Sequence, residues 1–387
     1  MRDLGGRFAH IPPTGAPRWR RLGRESVDER GEELDADQQR WRGARHQQAH
    51  DPQLPNIKSF AGRVVHPQFW PEDIDYRDKK VVIIGSGATA VTLLPAMAET
   101  AASVVMLQRS PSYVISRPSE DWFANTLRKL LPATWAYSLT RKRNTLYQEA
   151  LYKFTRYAPQ FVKKGLLAKV RNELGDAYDV DRHFTPSYNP WDQRLCLVPD
   201  GDLFAALRAE RASVVTDQIE YFTQTGLQLV SGDHLDADIV VTATGLKLVV
   251  HGGAAFSVDD EVVDFAKLWT YKGLMVSDVP NMVSTFGYVN ASWTLRADLI
   301  AEWVCRTLNY MTATESASVV PRVPEALLNM PSRDWIDSFS AGYISRVMHL
   351  FPQQGDSAPW INPQDLRADR KLFKQPLESD SALQFKV

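Results

Sequence analysis

Cysteine is nearly absent from this sequence. Cys196 and Cys305 are the two in 387 residues, far apart and in no C-x-x-C spacing, which argues against a disulfide framework or a zinc site and for a reducing compartment. No apolar run reaches the roughly 20 residues that span a bilayer, and the N-terminus lacks the apolar core of a signal peptide; a cytoplasmic protein without a transmembrane segment is expected. Charge of one sign is missing too: the formal net charge is -1, so no nucleic-acid or anionic-membrane footprint is expected. Lysine is absent before Asp51, in a stretch rich in Arg, Asp, Glu, Gln and Gly with no strand alternation and no sustained apolar helix face. Residues 1–51 therefore read as disordered or loosely helical. His46 and His50 sit four apart within it, but with no Glu between them and no third ligand the pair reads as part of a solvated segment rather than a metal site.

The best-formed local pattern is Lys79 to Pro111. Val81 to Ile84 is an apolar run that predicts a buried strand, and Gly85-Ser86-Gly87-Ala88-Thr89-Ala90 follows it into a helix. This is G-x-G-x-x-A: Gly85 permits a tight turn, Gly87 lets backbone approach a pyrophosphate, and small Ala90 lets the helix pack close to the strand. A second strand, Ser103 to Leu107, ends in Gln108-Arg109, where an NAD site would carry Asp or Glu. Arg109 suits a ribose 2′-phosphate instead. Pro95 falls inside the helix and predicts a kink.

Other stretches are organised around this one. Residues 52–75 are a link into the dinucleotide strand, and residues 76–246 are expected to form the nucleotide domain. Asp121 to Leu174 carries Leu, Trp, Tyr, Lys and Arg at helical spacing, broken at Pro132 and Pro159, and predicts a helical insertion whose aromatic stripe packs in a core. Asp181 to Asp202 is loop-rich and studded with Pro, Tyr, Trp and His, the texture of a functional loop. Ser213–Val215 and Leu227–Leu229 predict short strands of the returning sheet. Asp238 to Gly245 predicts a buried strand whose Thr244-Gly245 end lies beside the dinucleotide. Residues 247–351 belong to something else, with a helix from Trp293 to Met311 that Asn290 or Ser292 can cap. Residues 352–387 read as a polar surface tail.

Phe60-Ala-Gly62-Arg-Val-Val-His66-Pro-Gln-Phe-Trp70-Pro71 matches F-x-G-x-x-x-H-x-x-x-W-P. With GSGATAVTL, MLQRSPSY, YNPWDQRLCLVP, ADIVVTATGL and GYVNASWTL, the chain from Pro52 onward resembles the type I Baeyer-Villiger and flavin-containing monooxygenases, in particular their mycobacterial ethionamide-activating branch. The resemblance implies an α/β fold: a doubly wound, Rossmann-type NADP-binding domain with a helical insertion, then the C-terminal part of a second, FAD-type dinucleotide-binding domain. It also implies FAD and NADPH as cofactors, O2 and a small organic molecule as substrates, and oxygenation of ketones or of sulfur in sulfides and thioamides. Arg194, in DQRLC, would take the role of the arginine that steadies anionic oxygen. Asn290 would lie against the flavin, and Phe60, Gly62, His66, Trp70 and Pro71 would couple domain motions. The family's first G-x-G-x-x-G, for FAD, has no counterpart before Phe60, so a truncated and inactive chain, or a non-catalytic NADP(H)-binding remnant, is the competing expectation; an enzyme that oxygenates nitrogen or sulfur without ketone insertion is a third.

Overall fold

The computed structural model describes residues 19–22, 47–50, 52–193, 195–337 and 341–387. The chain divides into two compact units, one of Gln47–Val249 with Ser338–Val347 and the other chiefly of Val250–Asp337 and Met348–Val387.

The first unit is built on a five-stranded sheet. Its strands, in chain order, are β1 (Arg63–Val65), β2 (Lys80–Ile84), β3 (Ser103–Gln108), then β6 (Ala212–Thr216) and β10 (Ile239–Thr242). In space they lie β1-β10-β2-β3-β6, every pair parallel. Parallel strands are covered on both faces, which is why β2 and β10 read as unbroken apolar runs. One face, with Val81, Ile83, Val104, Met106 and Val241, packs on helix α1 (Ala88–Met97) through Ala90, Val91 and Leu94. Helix α5 (Asp202–Arg208) adds Leu203, Phe204 and Leu207 to the same core. The opposite face, with Val82, Ile84 and Val240, packs on Phe60, Phe222, Leu227 and Leu229. These last two residues correct an expectation. Leu227–Leu229 does not return to the main sheet; β8 (Gly226–Leu229) lies between β7 (Ile219–Phe222) and β9 (His234–Asp236) in an antiparallel sheet of its own. The short links at 223–225 and 230–233 permit only hairpins, whereas joining a parallel sheet takes a crossover.

The segment expected as a link, 52–75, is part of the sheet: β1 is its edge strand, in register with β10 from Arg63↔Ile239 to Val65↔Val241. Nor are residues 1–51 without structure throughout. Gln47–Ala49 pairs antiparallel with Leu246–Leu248, and Trp19–Leu22 pairs antiparallel with Ala255–Val258 in the second unit. A strand edge offers unpaired N–H and C=O groups to any extended backbone, so no side-chain pattern announces such pairing.

Between β3 and β6 the chain makes β4 (Val114–Arg117), three helices, and β5 (Cys196–Pro199), which pairs parallel with β4. The helices are α2 (Trp122–Leu130), α3 (Ala133–Tyr157) and α4 (Pro159–Leu174). Asp121 caps α2 by accepting from the N–H groups of Phe123 and Ala124, Pro132 and Pro159 mark the breaks, and Gly175 at φ 79 ends α4. The expectation that the aromatic stripe of this insertion packs in a core is overturned. Only Ala136 and Thr155 of α3 are buried, because α3 has packing partners along one side and its apolar stripe lies on the other.

In the second unit, helix α6 (Trp293–Ala313) is the central element. Its buried Ile300 and Trp303 share a core with Val319, Trp360, Leu372 and Phe373. The residues after 351 are therefore no surface tail. Helix α7 (Leu366–Phe373) packs on α6, and β12 (Leu383–Lys386) pairs antiparallel with β11 (Ser318–Pro321). A few large apolar residues among polar ones carry that burial. Two ionic clusters are buried here as well. Arg296 and Asp369 stand 3.0 Å apart with Tyr288 donating to Asp369 at 2.7 Å, and Lys272 reaches Asp380 at 2.7 Å with Tyr271 donating to the same oxygen at 2.6 Å.

Candidate functional site

The site forms at the carboxyl end of the parallel sheet, where β2 turns into α1. Gly85 has φ 137, and a Cβ there would lie 2.4 Å from the Ala243 carbonyl oxygen at the end of β10. Only glycine fits both the conformation and the contact. Gly87 is different: a Cβ there would meet nothing within 4 Å, so its backbone faces open space. Gly87 is also the N-cap of α1 and gives no side-chain cap. Among the described residues no side chain caps the first N–H groups of α1, and Ala88 and Thr89 are exposed. These N–H groups form an anion-binding end at which a pyrophosphate would fit. Ala90, fully buried, sets the helix against the sheet. Pro95 stays within α1, in its last turn, two residues before its end.

The end of β3 is drawn against this turn at two points. The Gly85 N–H donates to the Leu107 carbonyl at 2.8 Å, and the Ser86 hydroxyl donates to the Ser110 carbonyl at 3.0 Å. Arg109 lies between those anchors and is exposed, so a cation is available beside the phosphate end of the helix. Gln108 is not available in the same way. Its Nε2 donates to the His183 carbonyl at 2.7 Å and to the Thr216 hydroxyl at 2.9 Å, and the residue is buried. Alternation along the strand turns one side chain inward and the next outward, so Gln108 braces the sheet.

Thr244 and Gly245 close on the chain's own backbone. Thr244 donates to the His50 carbonyl at 2.6 Å, and Gly245, at φ 94, accepts from the His50 N–H at 3.0 Å. His66 Nδ1 accepts from the Gln68 N–H, leaving Nε2 as the protonated nitrogen, 3.3 Å from the Gly245 carbonyl. The fingerprint is thereby stitched to the end of β10. Phe60 meets the Phe222 ring edge-on at 6.0 Å, and a Cβ on Gly62 would lie 2.4 Å from both the Asp238 carbonyl and the Phe60 ring. Trp70 packs on the helical face of the core and Pro71 follows it.

Sequence reasoning missed a clamp. Tyr113, buried, donates to the Tyr188 carbonyl at 2.7 Å and meets the Tyr188 ring edge-on at 5.5 Å. Ser112 shares a hydrogen bond with Ser86 at 3.0 Å. Cys196 lies 3.9 Å from the Ser86 carbonyl, and burial pushes its thiol up to about 11. The stretch 181–202 is thus fastened to Tyr113 at Tyr188 and to the glycine turn at Cys196. The motif SPSY hinted at this, but the partners are 75 residues apart and nothing in the sequence joins them. Arg194 lies outside the described residues, as does His46. Asn290 belongs to the second unit, just before α6, whose N-cap Ser292 makes no side-chain cap and instead shares a hydrogen bond with Thr294 at 2.9 Å.

Comparison with known proteins places the chain among flavin-binding monooxygenases. A family described as flavin-binding monooxygenase-like matches residues 44–156. The chain is 50% identical over 339 residues to a probable FAD-binding monooxygenase, AlmA, of Acinetobacter baylyi, covering 87% of this chain and 68% of that protein. It is 46% identical over 339 residues to the FAD-containing monooxygenase EthA of Mycobacterium tuberculosis, covering 87% of this chain and 69% of that one. Among solved structures, an oxidized steroid monooxygenase bound to NADP is similar with a TM-score of 0.63 at 20% identity, over 89% of this chain and 74% of that chain. An open cyclohexanone monooxygenase is similar with a TM-score of 0.62 at 17% identity, over 89% of this chain and 73% of that chain. Fold, glycine turn and relatives converge, and the chain belongs to the flavin-binding monooxygenase-like family.

Proposed function

We propose that this chain acts as an FAD- and NADPH-dependent monooxygenase of Baeyer-Villiger type, oxygenating ketones and, at sulfur, sulfides or thioamides. The observation that carries the reading is the phosphate end itself: an uncapped helix start, open space at Gly87, and exposed Arg109 held beside both. That arrangement suits a dinucleotide with a 2′-phosphate. The flavin enters through the relatives, which are named FAD-binding or FAD-containing.

When bound, FAD reduced by NADPH would activate O2, with one oxygen atom passing to the substrate and the other leaving as water. The protein's own part is binding and electrostatics. The α1 N–H groups hold the pyrophosphate and Arg109 the 2′-phosphate. Arg194 is a permanent cation with directed donors, suited to holding negative charge that develops on oxygen. Asn290 and the open N-terminus of α6 favour negative charge on a flavin ring. His66 fixes the fingerprint to the sheet through the Gly245 carbonyl, a position from which it can transmit movement without touching substrate.

The test is the visible spectrum of the purified chain, desalted after incubation with FAD and then mixed with NADPH in air. Retained flavin that NADPH bleaches, followed by ester or sulfoxide products from a ketone and sulfide panel, is the expected result. NADPH binding without flavin retention would overturn the oxygenase reading and leave a nucleotide-binding module.

A further inference from the structure

The insertion offers a face that the reading above does not use. On α3, positions 135, 139, 142, 146, 150, 153 and 157 recur at the three-to-four spacing of one helix face, and every one is exposed. They are Trp135, Leu139, Lys142, Leu146, Ala150, Lys153 and Tyr157, with Trp135 66% and Tyr157 88% accessible. The buried Ala136 and Thr155 fall outside this stripe. On the neighbouring helices Trp122 is 76%, Leu130 72% and Phe161 71% accessible. A 25-residue helix is about 37 Å long, so the stripe is an extended apolar strip.

Charge decides what covers it. Residues 121–174 hold 11 Lys and Arg against three Asp and Glu, in a chain whose total is -1. The near-neutral total conceals one strongly basic region. Lys129, Lys142, Lys164 and Lys169 are exposed and make no ion pair among the described residues. Lys142 and Lys153 stand within the stripe itself; Lys153 pairs with Glu149 at 2.8 Å on the same helix, while the exposed Lys142 can lay its stem along apolar surface and keep its ammonium group in the headgroup layer. Aromatic and leucine side chains mixed with lysine and free of exposed acid are the composition of an interfacial helix on anionic lipid. A second copy of the chain would oppose lysine to lysine on the same strip. No described helix is long and apolar enough to cross a membrane, so the contact is peripheral.

We propose that the α2–α4 insertion docks on an anionic lipid bilayer, α3 lying in the interface with Trp135, Leu146 and Tyr157 in the acyl boundary and its lysines among the headgroups.

Co-sedimentation of the full chain with vesicles of phosphatidylglycerol and phosphatidylcholine, against pure phosphatidylcholine, tests this. Binding is expected on the anionic vesicles, falling steeply with salt. Lys142→Glu with Lys164→Glu should weaken it at least about tenfold, and Trp135→Ser with Tyr157→Ser should weaken it without changing its salt dependence. Lys267→Glu, the same charge change in the second unit, should leave it unaltered, and far-UV circular dichroism checks that each variant is folded. Equal binding to neutral vesicles, no binding to either, or equal loss with Lys267→Glu would overturn the proposal. So would a concentration-dependent dimer in sedimentation velocity that the Trp135 and Tyr157 substitutions abolish, since that would assign the face to a second copy.

Discussion

Replacing Asp369 with alanine should be among the most damaging single changes in the second unit. Arg296 and Asp369 are both fully inaccessible, 3.0 Å apart, on α6 and α7. Tyr288 donates to the same carboxylate oxygen at 2.7 Å, and the Arg296 Nη atoms reach the carbonyls of Lys272 and Phe286 at 3.3 and 3.4 Å. The network is not ideal: among the described residues, Asp369 Oδ1 has no hydrogen-bond partner and Arg296 Nε lacks an aligned one. Its value is therefore negative in form, since removing the acid leaves a guanidinium buried without a counter-charge. That costs about 3–5 kcal/mol, a large share of the roughly 5–15 kcal/mol that stabilises a folded protein. Replacing all three members by apolar residues, Arg296→Met, Asp369→Leu and Tyr288→Phe, should recover most of the loss, because the desolvation penalty goes with the charges. Urea unfolding followed by tryptophan fluorescence, which Trp303 and Trp360 in this core should report, measures both. A cost below about 1 kcal/mol for Asp369→Ala would refute the reasoning.

Other outcomes follow from the first unit. Gly85→Ala forces a Cβ to 2.4 Å from the Ala243 carbonyl at φ 137, so stability should fall by about 2 kcal/mol or more, with NADPH affinity lost as the turn shifts; a melting curve and a titration report each. Burial, with Arg182 nearby, holds the His183 imidazole below its ordinary value. Its contribution is present above about pH 6.5 and is lost as pH falls through the lowered folded value, so His183→Gln should flatten the melting temperature across pH 5–7. Cys305 is exposed and Cys196 is buried with its thiol at about 11; a thiol reagent at pH 8 should modify one equivalent at once and the second only on denaturation.

Much of the first unit could be read from the chain because strands buried on both faces write themselves as apolar runs, as β2, β3 and β10 do. What escaped depends on direction and on distant partners. Leu227–Leu229 is as apolar as a sheet strand, yet joins a meander, a choice made by connection length. Gln108 and Arg109 are adjacent and both polar, yet the pleat commits one to Thr216 and leaves the other exposed. The helical spacing of α3 was plain, while the side on which its stripe lies was set by neighbours along only one flank. Trp360 and Phe373 are sparse among polar residues, and their burial shows only once α6 is in place. The clamp of Ser112, Tyr113 and Tyr188 on the glycine turn rests on pairings across the insertion.

The central claim is that the glycine turn and Arg109 together receive a dinucleotide bearing a 2′-phosphate. The most direct measurement is the affinity of the chain and of Arg109→Ala for NADPH and for NADH by calorimetric titration. The account predicts a preference for NADPH that the substitution reduces by roughly 10- to 100-fold, the worth of a charge-assisted contact, with NADH affinity unchanged. Equal affinities for the two nucleotides, or a preference for NADPH that survives Arg109→Ala, would contradict it.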